Sequence, residues 1–163
     1  MKNLLITYHS VTGGSLQMAQ AAAQGAAREP DIGVQLRRAA EAGPDDLLAA
    51  DGYLFVCPEN LAAIAGLMKD FFDRSYYPVL GRIEGRPYAT LVCAGSDGSN
   101  AVRQIGRIAT GWRLQEIAPP LIVCTHAQSP AQILAPKTIA AGDLARCGEI
   151  GYTLAAGLGA GIF

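Results

Sequence analysis

The chain has 163 residues, half of them apolar and 17% charged, which suits one compact domain and leaves no room for two of ordinary size. A net charge of -1 and a pI near 6.1 supply no field that would draw nucleic acid or an anionic membrane. Apolar runs are broken by Gly, Pro or charge well before a membrane span is reached.

The start, MKNLLITYHS, is too short and too soon polar for a secretory leader and reads as a first strand, LLITY over 4–8. A helix over 15–28 follows, with Leu16, Ala19, Ala22, Ala23 and Ala26 on one side. VQLRRA (34–39) is a second, less apolar strand, expected nearer an edge. PDDLLAA (44–50) is a short helix with Pro in its first turn and two acids behind it, as a helix N-terminus prefers. GYLFVC (52–57) is continuous in apolar residues, as a strand buried on both faces must be. The next helix is expected over 61–74, with Leu61, Ile64, Met68, Phe71 and Phe72 on one stripe. YATLVCA (88–94) is another buried strand, and AVRQIGRIATGW (101–112) a helix with Val102, Ile105, Ala109 and Trp112 aligned. LIVCT (121–125) is the fifth strand. A last helix, 139–156, carries Leu144, Cys147, Ile150 and Leu154 ahead of the glycine-rich end.

The four cysteines, Cys57, Cys93, Cys124 and Cys147, form no CxxC pair and lie inside apolar stretches, the pattern of reduced, buried thiols in a cytoplasmic protein. Strands alternating with helices imply parallel βαβ units with right-handed crossovers, hence a three-layer α/β sandwich on a five-stranded parallel sheet, as one domain over 1–163. Ligands of such sheets lie beyond the carboxyl ends of the strands, where strand order reverses. That directs attention to YHSVTGGS, CPENLAAI and CAGSDGSN, the joins after the first, third and fourth strands.

In the first join, Gly13 and Gly14 allow successive amides to turn inward, and the helix that opens near Ser15 adds its unpaired N–H groups and positive end. Ser10, Thr12 and Ser15 add hydroxyls, and no Lys or Arg lies in the loop. Neutral donors with a dipole suit a monophosphate better than a nucleoside triphosphate, for which GxxxxGK[ST] provides a Lys. The plainer alternative is an ordinary βα turn with Ser15 as N-cap. Similar alternatives attend Glu59 and Asn60, which would cap a helix starting at Leu61, and Asp97-Gly98, which would make a turn. Met68, Phe71 and Phe72 read as core, Lys69 and Arg74 as a wet helix face, and Arg37-Arg38 as a solvated strand end in preference to a partner for a nucleotide phosphate. No carboxylate pair, HExxH or GxSxG is present, which removes support for hydrolase and phosphatase readings.

Ser10-Val11-Thr12-Gly13-Gly14-Ser15 resembles the flavodoxin phosphate loop, S/T-x-T-G-x-T. Pro58, Gly66, Leu67, Met68, Lys69, Phe71, Phe72, Asp73 and Arg74 follow the pattern of the WrbA-type NAD(P)H:quinone oxidoreductases and related NADPH-dependent FMN reductases. A Gly- and Ser-rich fourth loop, Gly95 to Asn100, completes a resemblance that covers about 3–125. It implies a flavodoxin-like sheet in the order 2-1-3-4-5. It also implies FMN, with its phosphate on Ser10, Thr12, Gly13, Gly14 and Ser15. The ring would lie between Pro58, Glu59, Asn60 and Leu61 on one side and Gly95, Ser96, Gly98 and Ser99 on the other. The implied activity is transfer of electrons from NADH or NADPH to a quinone or similar small acceptor, in a homodimer or homotetramer. No nucleic acid, membrane or metal enters this reading, and no side-chain acid or base is required. An electron shuttle of flavodoxin type and a binding module without redox work are the alternatives. A net charge of -1 does not give the acidic surface that steers a shuttle to its partners.

Overall fold

A computed structural model describes all 163 residues. In chain order the elements are β1 (Lys2–Tyr8), α1 (Gly14–Ala26), β2 (Ile32–Arg38), α2 (Pro44–Ala49), β3 (Gly52–Asn60) and β4 (Ala63–Ile64). They continue with α3 (Gly66–Val79), β5 (Pro87–Ala94), α4 (Ser99–Gly111), β6 (Gln115–Glu116), β7 (Leu121–Cys124), α5 (Pro130–Leu134) and α6 (Ala141–Ala160).

The sheet has seven strands where five were expected, ordered β2-β1-β3-β5-β6, with β7 also on β5 and β4 on β3. The long strands keep the expected parallel succession. The last position is shared by two pieces, because β6 pairs with Pro87 and Tyr88 while β7 pairs with Leu91 to Ala94. Between them stand Pro119 and Pro120, which have no N–H to give the ladder. β4 runs antiparallel and closes a hairpin on the end of β3, Glu59 opposite Ile64 and Asn60 opposite Ala63. The expected helix over 61–74 is therefore displaced to 66–79, and β3 extends past Cys57 to Asn60. Leu61 and Ala62, expected on a helical stripe, form the hairpin tip in left-handed conformation (φ 51° and 59°), with Leu61 fully exposed.

The alternation of side chains along the strands divides the interior in two. Leu4, Ile6, Leu54, Val56, Leu91 and Cys93 meet α1 and α6 on one face. Leu5, Tyr53, Phe55, Cys57 and Val92 meet α2, α3 and α4 on the other. Phe55 packs edge-on to Phe72 with centroids 5.0 Å apart, and Phe72 continues to Trp112 at 5.5 Å. Truncating such a buried ring to Ala costs about 3–5 kcal/mol. α1 buries Met18, Ala19, Ala22 and Ala26, while Leu16 and Ala23 of the expected stripe are only partly covered. Gly25 and Gly151 are in that interface because a Cβ on either would strike the carbonyl of Gly148 or Ala22 across it.

Two arginines tie the α2–α3 layer together. Arg86 donates to the carbonyls of Leu47, Leu48 and Ala50 and to the Tyr53 hydroxyl. Burial, the main cause, pushes the Tyr53 phenol up to about 12 against the opposing pull of Arg86. Arg74 corrects the expectation of a wet helix face. Its guanidinium donates to the Ala39 carbonyl at 2.8 Å and the Ala42 carbonyl at 3.1 Å, fixing the β2–α2 turn, while Lys69 pairs with Asp73 in solvent. Burial also raises three thiols, Cys57 and Cys147 to about 12 and Cys93 to about 11.

Candidate functional site: the loop after β1 and its neighbours

Register brings the joins together. Tyr8 lies opposite Val56, and Pro58 opposite Cys93, so β1, β3 and β5 end along one edge of the sheet. Over this edge lies a cavity of about 270 Å³, bounded by Ser10, Thr12, Gly14 and Ser15 of the first loop, Pro58 and Asn60 of the third, and Cys93. A smaller space of about 100 Å³ continues it past Thr12, Pro58, Glu59 and Asn60 to Gly95.

Two helices open at this edge in the same way. Gly13 (φ 94°) precedes α1 and Gly98 (φ 89°) precedes α4, both in the left-handed region that a side chain disfavours. Their amides have different fates. At α4, the Glu59 carboxylate accepts from Gly98 N–H at 2.9 Å and from Ala101 N–H at 3.1 Å, an anion already seated on the helix end. At α1 no side chain caps the helix, and the first amide with an intrahelical acceptor is Gln17, bonded to the Gly13 carbonyl at 3.1 Å. The amides of Gly14, Ser15 and Leu16 precede it without an acceptor inside the helix.

Ser15 supplies a second observation. It is 2% exposed, and its Oγ is buried without a hydrogen-bond partner. A buried hydroxyl in this condition costs about 1–3 kcal/mol. A Cβ on Gly14 beside it would sit 2.7 Å from Cys93 Sγ, so a side chain there would force that thiol to move. Ser10 shapes the turn by accepting from Gly13 N–H at 3.2 Å. The cavity floor thus consists of free amides and an unpaired hydroxyl, the donor set that a compact anion satisfies. FMN phosphate fits it.

The other expected residues divide. Pro58, Asn60 and Gly95 border the two spaces, whereas Leu61, Ser96, Gly98 and Ser99 border neither. Gly98 is buried, where a Cβ would lie 2.7 Å from Ile122 Cγ2. Ser99 turns outward and donates to Asp97 at 2.9 Å. The capping alternative for Glu59 is realised on a helix 39 residues further along the chain, and not on the neighbouring one.

One contributor has no counterpart in the sequence reading. The segment after β7 folds over the loop that follows β1, and its short helix α5 presents Ile133 and Leu134 to the cavity. It is anchored by Lys137 N–H, which donates to the Thr12 carbonyl at 2.8 Å. Gln17 completes the anchor, its side-chain amide donating to the Gly13 and Lys137 carbonyls and accepting from Ile139 N–H. The Lys137 ammonium, the cation nearest in this segment, is engaged by the carbonyls of Gln132, Ile133 and Ala135. Ser129-Pro130 with Gln132, a capping box, was the local signal for α5.

The chain is similar to known proteins. The family described as NADPH-dependent FMN reductase matches residues 35–128, more than half of the chain. A flavodoxin of Aquifex aeolicus is 33% identical over a region covering 59% of this chain and 50% of its own. An NAD(P)H dehydrogenase (quinone) of Acidithiobacillus ferrooxidans is 35% identical, covering 46% of this chain and 48% of its own. The chain spans about half the length of these relatives. Among solved structures, an archaeal flavodoxin aligns with TM-score 0.77 at 17% identity, covering 96% of this chain and 99% of that one. A WrbA-like flavodoxin from Agrobacterium tumefaciens gives 0.70 at 21%, covering 96% of each. At those identities the likeness shows the flavodoxin-like fold. No helix is long and apolar enough to cross a membrane.

Proposed function

We propose, on the premise that the chain belongs to the NADPH-dependent FMN reductase family, that it binds FMN and passes two electrons from NADH or NADPH to a quinone or similar small acceptor. The observation that carries the proposal is the uncapped start of α1 with the unpaired Ser15 hydroxyl beneath it. Bound FMN would supply the centre that accepts a hydride from the nicotinamide and gives it up to the acceptor.

The chain's own part is binding, orientation and exclusion of water. Ser10, Thr12, Ser15 and the amides from Gly14 onward would hold the phosphate, neutral donors acting with the helix dipole, while Gly13 shapes the turn. Pro58, Asn60 and Gly95 border the space where the ring would lie, and their rigid strand ends would fix its tilt. Glu59 would act at one remove, by holding α4 and the fourth loop in place. Ile133 and Leu134 would cover the cavity from above. Val11, Ile133 and Leu134 are large apolar side chains that border this cavity and are left in solvent, which supports association of the chain into a homodimer or homotetramer over it.

Anaerobic mixing of FMN-loaded protein with NADH and with NADPH tests the reading. Rapid bleaching of the flavin band, followed by reoxidation on adding a quinone, is expected. Tight FMN binding with no bleaching by either nucleotide would replace the reductase with a shuttle.

A further inference from the structure

Two unlike walls flank the cavity assigned to FMN. The hairpin over 59–64 is pinned from outside itself. Gln104 accepts from Ile64 N–H at 2.8 Å, Asn100 donates to the Ala62 carbonyl at 2.6 Å, and the Glu59 carboxylate is seated on α4. The opposite wall, residues 126–138 with Ile133 and Leu134 of α5, is built as a separate piece. No residue from 125 to 138 is buried. Every hydrogen bond of residues 127–136 closes within the segment 127–137. Gln132 accepts from the amides of Gln128 and Ser129, and the Lys137 ammonium donates to the carbonyls of Gln132, Ile133 and Ala135.

Only the two ends of this piece are tied to the body. At the front, the amides of Thr125 and His126 donate to the carbonyls of Ala94 and Gly95 at 2.8 Å each, and His126 turns the chain at φ 58°. At the rear, Lys137 N–H donates to the Thr12 carbonyl at 2.8 Å. Gln17 of α1 grips the same end. Its amide nitrogen donates to the Lys137 carbonyl at 2.7 Å and to the Gly13 carbonyl at 2.9 Å, and its oxygen accepts from Ile139 N–H at 3.0 Å.

We propose that residues 126–138 are a hinged lid over the cavity and that Gln17 is its latch, a positioning residue that sets how fast the ligand enters and leaves. A segment that buries no side chain and is hydrogen-bonded to itself swings without melting, so opening breaks the rear bonds alone. Weakening the latch raises the open fraction in the empty and the loaded protein alike, and entry and exit speed up together. The inference rests on the FMN reading for the identity of the ligand.

Stopped-flow mixing of the full chain with excess FMN, followed by quenching of flavin fluorescence, gives kon and koff from the concentration dependence of the observed rate. Gln17→Ala removes two bonds to the lid and should raise both constants about tenfold, leaving Kd within about threefold. Gln20→Ala, on the exposed face of the same helix, should match the wild type. Hydrogen exchange of the ligand-free chain is the second readout. The amides of Lys137 and Ile139 should exchange about tenfold faster in Gln17→Ala, while those of β1 keep their wild-type rates. A higher Kd with kon unchanged or lowered would overturn the proposal, since Gln17 would then only shape the loop after β1. Unchanged rates and exchange in Gln17→Ala would overturn it too. Rate constants that vary with chain concentration would also overturn it, assigning the cover to a second copy. A wild-type chain that binds no FMN would count against the FMN reading, and exchange in the ligand-free chain would still decide the latch.

Discussion

Replacing Ser15 by alanine should move stability and ligand affinity in opposite directions. Ser15 is 2% exposed, and its hydroxyl loses water on folding without gaining a partner. Alanine keeps the Cβ and removes the orphaned oxygen, so the ligand-free variant should be more stable than wild type by about 1 kcal/mol, the low end of the penalty for an unpaired buried polar group. In the FMN complex the same hydroxyl would donate to an anionic oxygen, a bond worth about 1.5–3 kcal/mol. The variant's Kd for FMN should therefore rise by roughly ten- to a hundredfold, at about 1.4 kcal/mol per factor of ten. Urea denaturation without ligand reads the first quantity, and quenching of flavin fluorescence on titration reads the second. A Ser15→Ala protein that is less stable when empty and binds FMN as tightly as wild type would refute the reasoning. Its serine would then be a structural hydroxyl with an internal partner.

Other consequences are open to measurement. Glu59→Ala leaves two α4 amides without their acceptor and should lower the unfolding free energy by about 1–2 kcal/mol, with Glu59→Gln intermediate; an unchanged denaturation midpoint would speak against the cap. Ala62 holds φ 59° at the hairpin tip, so Ala62→Gly should stabilise by about 0.5–1 kcal/mol, and a lowered midpoint would show that the turn is not strained there. At about pH 8 a thiol reagent should modify partly exposed Cys124 well before Cys57, Cys93 and Cys147, whose burial holds their thiols protonated. Mass mapping of the modified peptides decides this, and early labelling of Cys93 would contradict it.

What could be read from the sequence was set by the range of the interactions involved. The position of the loop after β1 was legible because its signals are local: Gly13, Gly14 and Ser15 are consecutive, and strand periodicity on either side placed them at a sheet edge. The succession of long strands was legible for the same reason, through apolar runs that need cover on both faces. The hairpin over 59–64 was not, because Leu61 and Ala62 carry no turn signal and their apolar character mimicked the helix that begins at Gly66. Glu59 looked equally apt as ligand or cap, since its partners stand at Gly98 and Ala101. The cover over the cavity depends on Gln17 reaching Lys137 across 120 residues, which no window on the sequence contains. Arg38 looked like a solvated strand end. It is exposed there, with no carboxylate within ion-pair distance.

The central claim is that neutral donors at the start of α1 grip a phosphate. Dissociation constants of the wild-type chain for FMN and for riboflavin, determined side by side, test it most directly. The two ligands share the ring and differ in the phosphate, so the account predicts FMN to bind tighter by about a hundredfold or more. Equal affinities would contradict it.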